Sequence, residues 1–273
     1  MSPSFLQALL TRLREEPAVL AVYVDRSSSE PDSGEVHEVT LHLAVEGAFA
    51  QGVGAWASAL PDVIYSGPEP HGWTVITADG VEWRLCLCAG ADVPAGLEPV
   101  FDRREPRGGP AAPPKAAGAA QGGAAVPDLA ALVGAFWRDL YRAGRAIRAG
   151  RTLTAHHWLF TCGGHLIDLY RLALQPDSPG RGWVGADEVP GLARALEPVR
   201  PFLSAALEGR SQRRAAHKLA EAFEGLVLPL CQRLGLAYPM ALRTQAFRSL
   251  EPEPTPDVPG PGSGADPGSR AKP

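Results

Sequence analysis

The feature that most constrains the fold of this chain is a low-complexity stretch in its middle, 103–127. It reads RREPRGGPAAPPKAAGAAQGGAAVP and has no aromatic residue and no large aliphatic residue except Val126. Such a segment cannot bury enough apolar surface to offset the entropy lost on folding, so we predict a disordered linker. The same reasoning predicts a disordered tail over 251–273. What remains is an N-terminal unit, 1–102, and a C-terminal unit, 128–250.

Composition sets limits on the compartment and the partners. The chain has 273 residues, of which 45% are hydrophobic, enough for two modest cores. Its net charge of -4 gives no electrostatic reason to expect a nucleic-acid partner.

No apolar run approaches the ~20 residues that cross a bilayer, so no membrane partner is expected. The first residues include acidic ones and do not resemble a signal peptide. The cysteines show no CxxC pair, and we expect a cytoplasmic protein with free thiols at Cys86, Cys88, Cys162 and Cys231.

The C-terminal unit is predicted to be helical throughout, because its apolar residues recur at steps of three and four. The predicted helices run from the N-cap Asp128 to about Ile147, over 152–174, over 187–207 and from Ser211 to Gly235, with a shorter one after Pro239. Prolines at 190, 198 and 201 are expected to interrupt the third helix. These helices predict a four- or five-helix bundle with a core of Phe136, Trp137, Leu166, Leu169, Phe223, Leu226 and Leu230.

The N-terminal unit alternates helices with strands. An amphipathic helix ends before Pro17, and the apolar strand AVLAVYVD follows it. The stretch HEVTLHLAV, 37–45, alternates apolar and polar residues, which is typical of a half-buried strand. GWTVITADGVEWRLCLC predicts a hairpin that turns at Asp79–Gly80. The fold class is therefore predicted to be α+β, with a small mixed sheet in the first unit and a helical bundle in the second.

This order of elements resembles the nucleotidyltransferase superfamily, and in layout its two-domain aminoglycoside-type adenylyltransferases. The segment GEVHEVTLHL, 34–43, is similar to the glycine-led segment of that family, which ends in Ser-Asp-x-Asp-Leu. EPVFDRR, 98–104, is similar to the element that closes the catalytic domain. FWRDLYRAGRAIRAGRTLTAHHWLFTCGGHLIDLYRLAL, 136–174, is similar to the first two helices of the C-terminal domain, including the Phe-Trp opening. The resemblance implies a nucleotidyltransferase-like N-terminal domain followed by the bundle.

The chain departs from this family at the positions that bind metal ions. The resemblance places Thr40, His42 and Arg84 where active members have three carboxylates. Mg²⁺ prefers charged oxygen ligands, whereas an imidazole suits softer metals and a guanidinium repels a cation. Asp25 and Arg26 replace the Gly-Ser turn that holds the triphosphate in the family, and Ser27 and Ser28 follow. The resemblance therefore implies a degenerate site with no metal ion, no cofactor and no catalytic residue.

We therefore predict a binding module for a small molecule or nucleotide, or for another protein. The candidate ligand-binding residues are Arg26, Ser27, Ser28, His42 and Arg84. One alternative is an active transferase that uses Glu38 and Glu82 with Mg²⁺ to move a nucleotide onto a small-molecule hydroxyl. Another is an inactive structural subunit of a hetero-oligomer. Taken residue by residue, Thr40, His42 and Arg84 also fit the solvated face of a sheet, and the serines fit a solvated loop.

Overall fold

The computed structural model describes residues 3–25, 38–89, 93–94, 96–104, 128–174, 182–186, 189, 191–197 and 207–252. The predicted linker, apart from Arg103 and Arg104, and the predicted tail, apart from Glu251 and Pro252, lie outside these residues. In the N-terminal part, the helices are α1 (Pro3–Glu15) and α2 (Gly47–Ser58). The strands are β1 (Val19–Asp25), β2 (Glu38–Val45), β3 (Val63–Glu69), β4 (Gly72–Thr77), β5 (Glu82–Ala89) and β6 (Glu98–Asp102).

The strands form one mixed six-stranded sheet in the order β3-β4-β5-β2-β1-β6. The central pair, β2 and β5, is parallel, and the other neighbouring pairs are antiparallel. The predicted hairpin joins β4 to β5, and Gly80 takes a positive φ of 81° in its turn. The α+β composition predicted from the sequence is thus confirmed.

One face of the sheet forms the N-terminal core. Because side chains alternate along a strand, Leu41 and Leu43 of β2 share a face with Trp83 and Leu85 of β5. This face packs against both helices of the N-terminal part through Phe5, Leu9, Leu13, Phe49 and Val53. The opposite face is left for polar side chains and for the C-terminal helices.

The C-terminal helices are α3 (Leu129–Arg148), α4 (Thr152–Leu174), α5 (Leu192–Ala195), α6 (Gly209–Leu234) and α7 (Met240–Leu250). Asp128 is the predicted N-cap of α3, and its side chain accepts a hydrogen bond from the amide of Ala130. Gly235 ends α6 in the left-handed conformation. Of the predicted helix over 187–207, the structure describes only α5 as helical, and much of the remainder lies outside the described residues. Among the described helices, none combines the length and the apolar character needed to span a bilayer.

The bundle core contains most of the residues predicted for it. Phe136, Trp137, Leu166, Leu169 and Phe223 are fully buried, and the rings of Phe136 and Phe223 are stacked with centroids 3.7 Å apart. Leu226 and Leu230 of α6 also pack against this core, as predicted, but they are only partly buried. The buried stripe of α6 instead continues through Val227 and Cys231 at steps of four residues. The larger leucines lie at its rim.

The polar face of the sheet packs against the C-terminal helices. Ile76 of β4 belongs to the same apolar cluster as the residues of α3. Tyr141 on α3 donates a hydrogen bond to the carbonyl of Gly80, and Gln245 on α7 donates one to the carbonyl of Ala78 at 2.6 Å. The β4–β5 turn is thereby held against α3 and α7, so the polar face of β5 lies next to α3.

Candidate functional site

The site is built on the polar face of the sheet, where β2 and β5 run parallel. Register pairs Thr40 with Arg84 and His42 with Cys86, so all of these residues lie on one face. This confirms the predicted alternation of β2. The register of β4, β5, β2 and β1 places paired residues side by side in three rows across the sheet. In that strand order the rows are Ile76–Glu82–Glu38, Thr74–Arg84–Thr40–Asp25 and Gly72–Cys86–His42–Tyr23.

Arg84 lies between the two glutamates that the sequence offered as substitute metal ligands. Its Nη1 is 3.0 Å from Glu38 Oε1, and its Nε is 3.5 Å from Glu82 Oε1. The Arg84 side chain is about one-third exposed, whereas Glu82 is fully buried. Both carboxylates are therefore already engaged by a guanidinium from their own sheet.

Arg142 of α3 engages Glu82 from the opposite side. Its Nε donates to Glu82 Oε1 at 2.9 Å, and its Nη2 contacts the same oxygen. Arg145, one helical turn further, places Nη1 3.7 Å from Glu82 Oε2. Glu82 is consequently the carboxylate through which β5 is joined to α3.

Arg142 also connects two further carboxylates. Its Nη2 lies 2.8 Å from Glu69 Oε1 at the end of β3, and its Nη1 lies 3.4 Å from Asp139 Oδ1 on α3. Thr74, which is fully buried, donates to the same Glu69 oxygen at 3.3 Å. The guanidinium of Arg142 thus lies where three carboxylates from two strands and a helix converge.

Asp139 links this cluster to α4. Arg138 Nε donates to Asp139 Oδ1 at 2.8 Å, and His165 Nε2 lies 2.9 Å from Asp139 Oδ2. Arg138 Nη1 also lies 3.4 Å from Glu69 and donates to the Tyr65 hydroxyl at 3.3 Å. The charges in the whole cluster balance, because the carboxylates of Glu38, Glu69, Glu82 and Asp139 face the guanidinium groups of Arg84, Arg138, Arg142 and Arg145.

Burial and these ion pairs shift the pKa values of the carboxyls in opposite directions. Burial raises the pKa of Glu82, but Arg142 and then Arg84 and Arg145 outweigh that effect, so its pKa is lowered. Burial likewise opposes ionisation of Asp139, but hydrogen bonds from His165 and Arg138 lower its pKa to about 2. Glu38 has a raised pKa, because its burial outweighs the attraction of Arg84. Glu82 and Asp139 are therefore held ionised inside the protein.

The part of the polar face around Asp25 and His42 is more exposed to solvent than the part around Glu82. His42 Nε2 lies 4.0 Å from Asp25 Oδ2, and both side chains are partly exposed. Tyr23, beside His42, donates to Asp102 at 2.6 Å and accepts a hydrogen bond from Arg104. Cys86 is partly buried, and burial raises the pKa of its thiol. This end presents an imidazole, a carboxylate and the exposed part of Arg84.

The residues at the predicted metal positions do not fit a magnesium ion. Thr40 offers a neutral hydroxyl, His42 an imidazole and Arg84 a cation, whereas Mg²⁺ requires several hard oxygen ligands. The nearby carboxylates of Glu38 and Glu82 are held by arginines. Within the described ranges, no group of three or more His, Cys, Asp or Glu side chains is placed to hold a metal ion.

The sequence reasoning missed several residues of this cluster. Arg138, Asp139, Arg142 and Arg145 recur at helical spacing along α3, between the apolar residues of its core face. That spacing indicates a charged stripe, but a charged stripe on a helix is usually solvated. Glu69 carried no pattern of its own. Arg26, Ser27 and Ser28, predicted to bind a ligand, lie outside the described residues.

No protein-family model and no curated protein matches the chain. Among solved structures, the chain is similar to an aminoglycoside 6-adenyltransferase from Bacillus subtilis, with 10% sequence identity and a TM-score of 0.38. The similarity covers 90% of this chain and 95% of that chain. At this identity and TM-score, the similarity assigns neither a family nor an activity to the chain.

Proposed function

We propose that this chain is a non-catalytic relative of the two-domain nucleotidyltransferases that binds a small molecule or nucleotide without transferring it. The observation that carries the proposal is the state of Glu82. Its carboxylate contacts Arg142 and Arg84, and Arg145 lies close to its second oxygen. A carboxylate enclosed by guanidinium groups is a poor ligand for a metal ion, because the ion has to displace or approach several positive charges.

Without a bound metal ion, this site lacks the positive charge that phosphoryl transfer requires. Phosphoryl transfer develops negative charge that metal ions ordinarily neutralise, and loss of that stabilisation removes several kcal/mol. Thr40, His42 and Arg84 supply no carboxylate in its place. The alternative of an active transferase built on Glu38 and Glu82 is therefore disfavoured, since both glutamates are paired with Arg84.

The open end of the polar face supports binding. The partly exposed Arg84 and His42 lie in adjacent rows and present a guanidinium and an imidazole. Both groups can donate hydrogen bonds to phosphate or carbonyl oxygens. We include Arg26, Ser27 and Ser28 in the same proposed site, because they directly follow Asp25 at the end of β1. None of the described cysteines at 86, 88, 162 and 231 forms a disulfide, which supports the proposal of a reducing compartment, the cytoplasm.

The test combines a transfer assay with a binding assay. The purified chain is incubated with labelled ATP or GTP, Mg²⁺ or Mn²⁺ and a panel of hydroxyl acceptors, and binding of the same nucleotides is measured by calorimetry. We expect binding without a transferred product, and weaker binding in His42→Ala and Arg84→Ala. Arg210→Ala, at an exposed arginine of α6, is the matched control. Metal-dependent turnover that is lost in both Glu38→Gln and Glu82→Gln would establish the active alternative instead.

A further inference from the structure

Arginines gather at the end of the bundle where α3 ends and where α4 and α6 begin. In the sequence, no acidic residue occurs between Asp139 and Asp168 or between Glu208 and Glu221. The first of these stretches covers the end of α3 and the start of α4, and the second covers the start of α6. The chain as a whole carries a net charge of -4, so positive charge is concentrated at this end against the overall balance.

Contacts between these helices place their arginines on one surface. Gln212 Nε2 on α6 donates a hydrogen bond to the carbonyl of Thr152 on α4 at 2.7 Å. Gly209, the first residue of α6, lies next to the end of α3, since a Cβ added to it would be 3.7 Å from the side chain of Ile147. We call this surface the basic end, and its arginines, of which Arg213 is partly buried and the others are exposed, are Arg148, Arg151, Arg210, Arg213 and Arg214.

The start of α6 is an unfavourable place for its arginines. Arg210, Arg213 and Arg214 are spaced three and four residues apart, so they share one side of the helix, where like charges repel. They also lie at the positive end of the helix dipole, which disfavours cations. The first turn of α6 has no acidic residue, and Glu208 at the N-cap makes no side-chain cap hydrogen bond. Arg213 Nε is buried and has no hydrogen-bond partner among the described residues. An external anion at this surface would therefore relieve an unfavourable charge distribution.

Two exposed leucines lie beside these arginines. Leu153, in the first turn of α4, is 73% exposed, and Leu207, which precedes Glu208, is 49% exposed. A single exposed leucine is ordinary, but two next to a basic cluster offer apolar and cationic contacts together. Lipid phosphates accept hydrogen bonds from arginine, and leucine side chains enter the boundary between headgroups and acyl chains. A nucleic acid would pair with the arginines but leave both leucines in water, so a lipid surface is the better match.

We propose that the basic end docks on the surface of an anionic bilayer, where its arginines pair with lipid phosphates and Leu153 and Leu207 insert at the headgroup boundary. A contact of this kind needs no membrane-spanning helix. Basic residues clustered beside apolar ones are typical of such docking. The cytoplasmic leaflet carries anionic lipids, which matches the compartment that we propose for the chain.

The experiment measures sedimentation of the full chain with vesicles of phosphatidylcholine alone and of phosphatidylcholine mixed with phosphatidylserine. We expect binding to the mixed vesicles only, and weaker binding as salt is added, because salt screens exposed charges. Arg210→Gln combined with Arg214→Gln should weaken binding about fivefold for each arginine removed. The matched control combines Arg194→Gln with Arg233→Gln, which removes the same charge from exposed residues of α5 and of the other end of α6.

The leucines are tested in the same assay. Leu153→Ser should weaken binding to the mixed vesicles several-fold, because the serine has less apolar surface to insert. The matched control is Leu234→Ser, at a leucine that is also exposed but lies at the other end of α6, and it should bind like the wild type.

Three results would overturn the inference. One is an absence of sedimentation with the mixed vesicles at low salt. Another is an equal loss of binding in the Arg194 and Arg233 control, because binding would then follow net charge alone. The third is vesicle binding that is unchanged in Leu153→Ser while a single-stranded DNA oligonucleotide binds through Arg210 and Arg214, which would assign the surface to nucleic acid. None of these readouts involves a ligand on the polar face of the sheet, so their failure is distinct from failure of the proposed function.

Discussion

Arg142 Nε donates a hydrogen bond to Glu82 Oε1 at 2.9 Å, across 60 positions of the sequence, and both side chains are buried. One residue belongs to a central strand of the sheet and the other to the first helix after the predicted linker. The pair therefore joins two separately patterned parts of the chain by a contact that neither part can form alone. Removal of either partner leaves a buried charge without its counter-ion.

Glu82→Gln should destabilise the protein by about 3 kcal/mol, because Arg142, Arg84 and Arg145 lose their shared carboxylate. Urea unfolding followed by circular dichroism measures the change. The matched control is Glu221→Gln, whose partner Lys218 is exposed, and an exposed pair contributes less than about 1 kcal/mol. Equal effects of the two substitutions would contradict the role of Glu82 as the interface carboxylate.

Asp139 should give the protein a stability that depends on pH in the acid range. Its folded pKa of about 2 lies below its value of about 4 in an unfolded chain. The ionised form is thus favoured by folding, and this contribution is fully present above about pH 4 and is lost as the pH falls towards 2. We expect a loss of about 2 kcal/mol over this window that is absent in Asp139→Asn. Urea unfolding at intervals between these pH values measures it, and parallel curves for the two proteins would refute the prediction.

Two leucines of α6 test the phase of that helix. Leu219 is fully buried, whereas Leu226 is only partly buried at the rim of the core. Leu219→Ala should therefore destabilise the protein by about 2–5 kcal/mol, and Leu226→Ala by clearly less. The same residue type is removed from the same helix in each case, so burial is the main difference. Chemical denaturation gives both values, and a larger effect at Leu226 would contradict the greater burial of Leu219 in the core.

Two helical glycines should respond in opposite ways to alanine. A Cβ added at Gly144 of α3 would lie 2.9 Å from the backbone carbonyl carbon of Ser249 on α7, too close for the helices to keep their spacing. Gly144→Ala should thus destabilise the protein by about 1–3 kcal/mol. A Cβ at Gly225 of α6 meets nothing within 4 Å, so Gly225→Ala should stabilise the helix by about 0.5–1 kcal/mol. Thermal unfolding of both variants measures the difference, and a stabilised Gly144→Ala would show that α3 and α7 are not packed so closely.

Local patterns in the sequence determined the elements of this protein. The period of the apolar residues gave the span of α4 as Thr152–Leu174, and the alternation of polar and apolar residues predicted the faces of β2. Asp128 was recognised as a cap because capping depends on a side chain and amides within one turn. These features are properties of a short stretch of backbone, so they can be derived without knowing what the stretch contacts.

The tertiary structure alone decided which side chains meet. The sequence did not show that β2 pairs in parallel with β5, since this depends on the path of the chain between them. It also did not show that Arg142 faces the sheet or that Asp139 meets His165 of α4, because a charged residue on a helix is equally compatible with solvent. In α6, the stripe Leu219, Phe223, Val227 and Cys231 was buried in preference to Leu226 and Leu230 because α3 and α4 pack against that side. The type of a residue indicates whether its burial is favourable. Whether the residue is buried depends on which distant helices and strands pack against it.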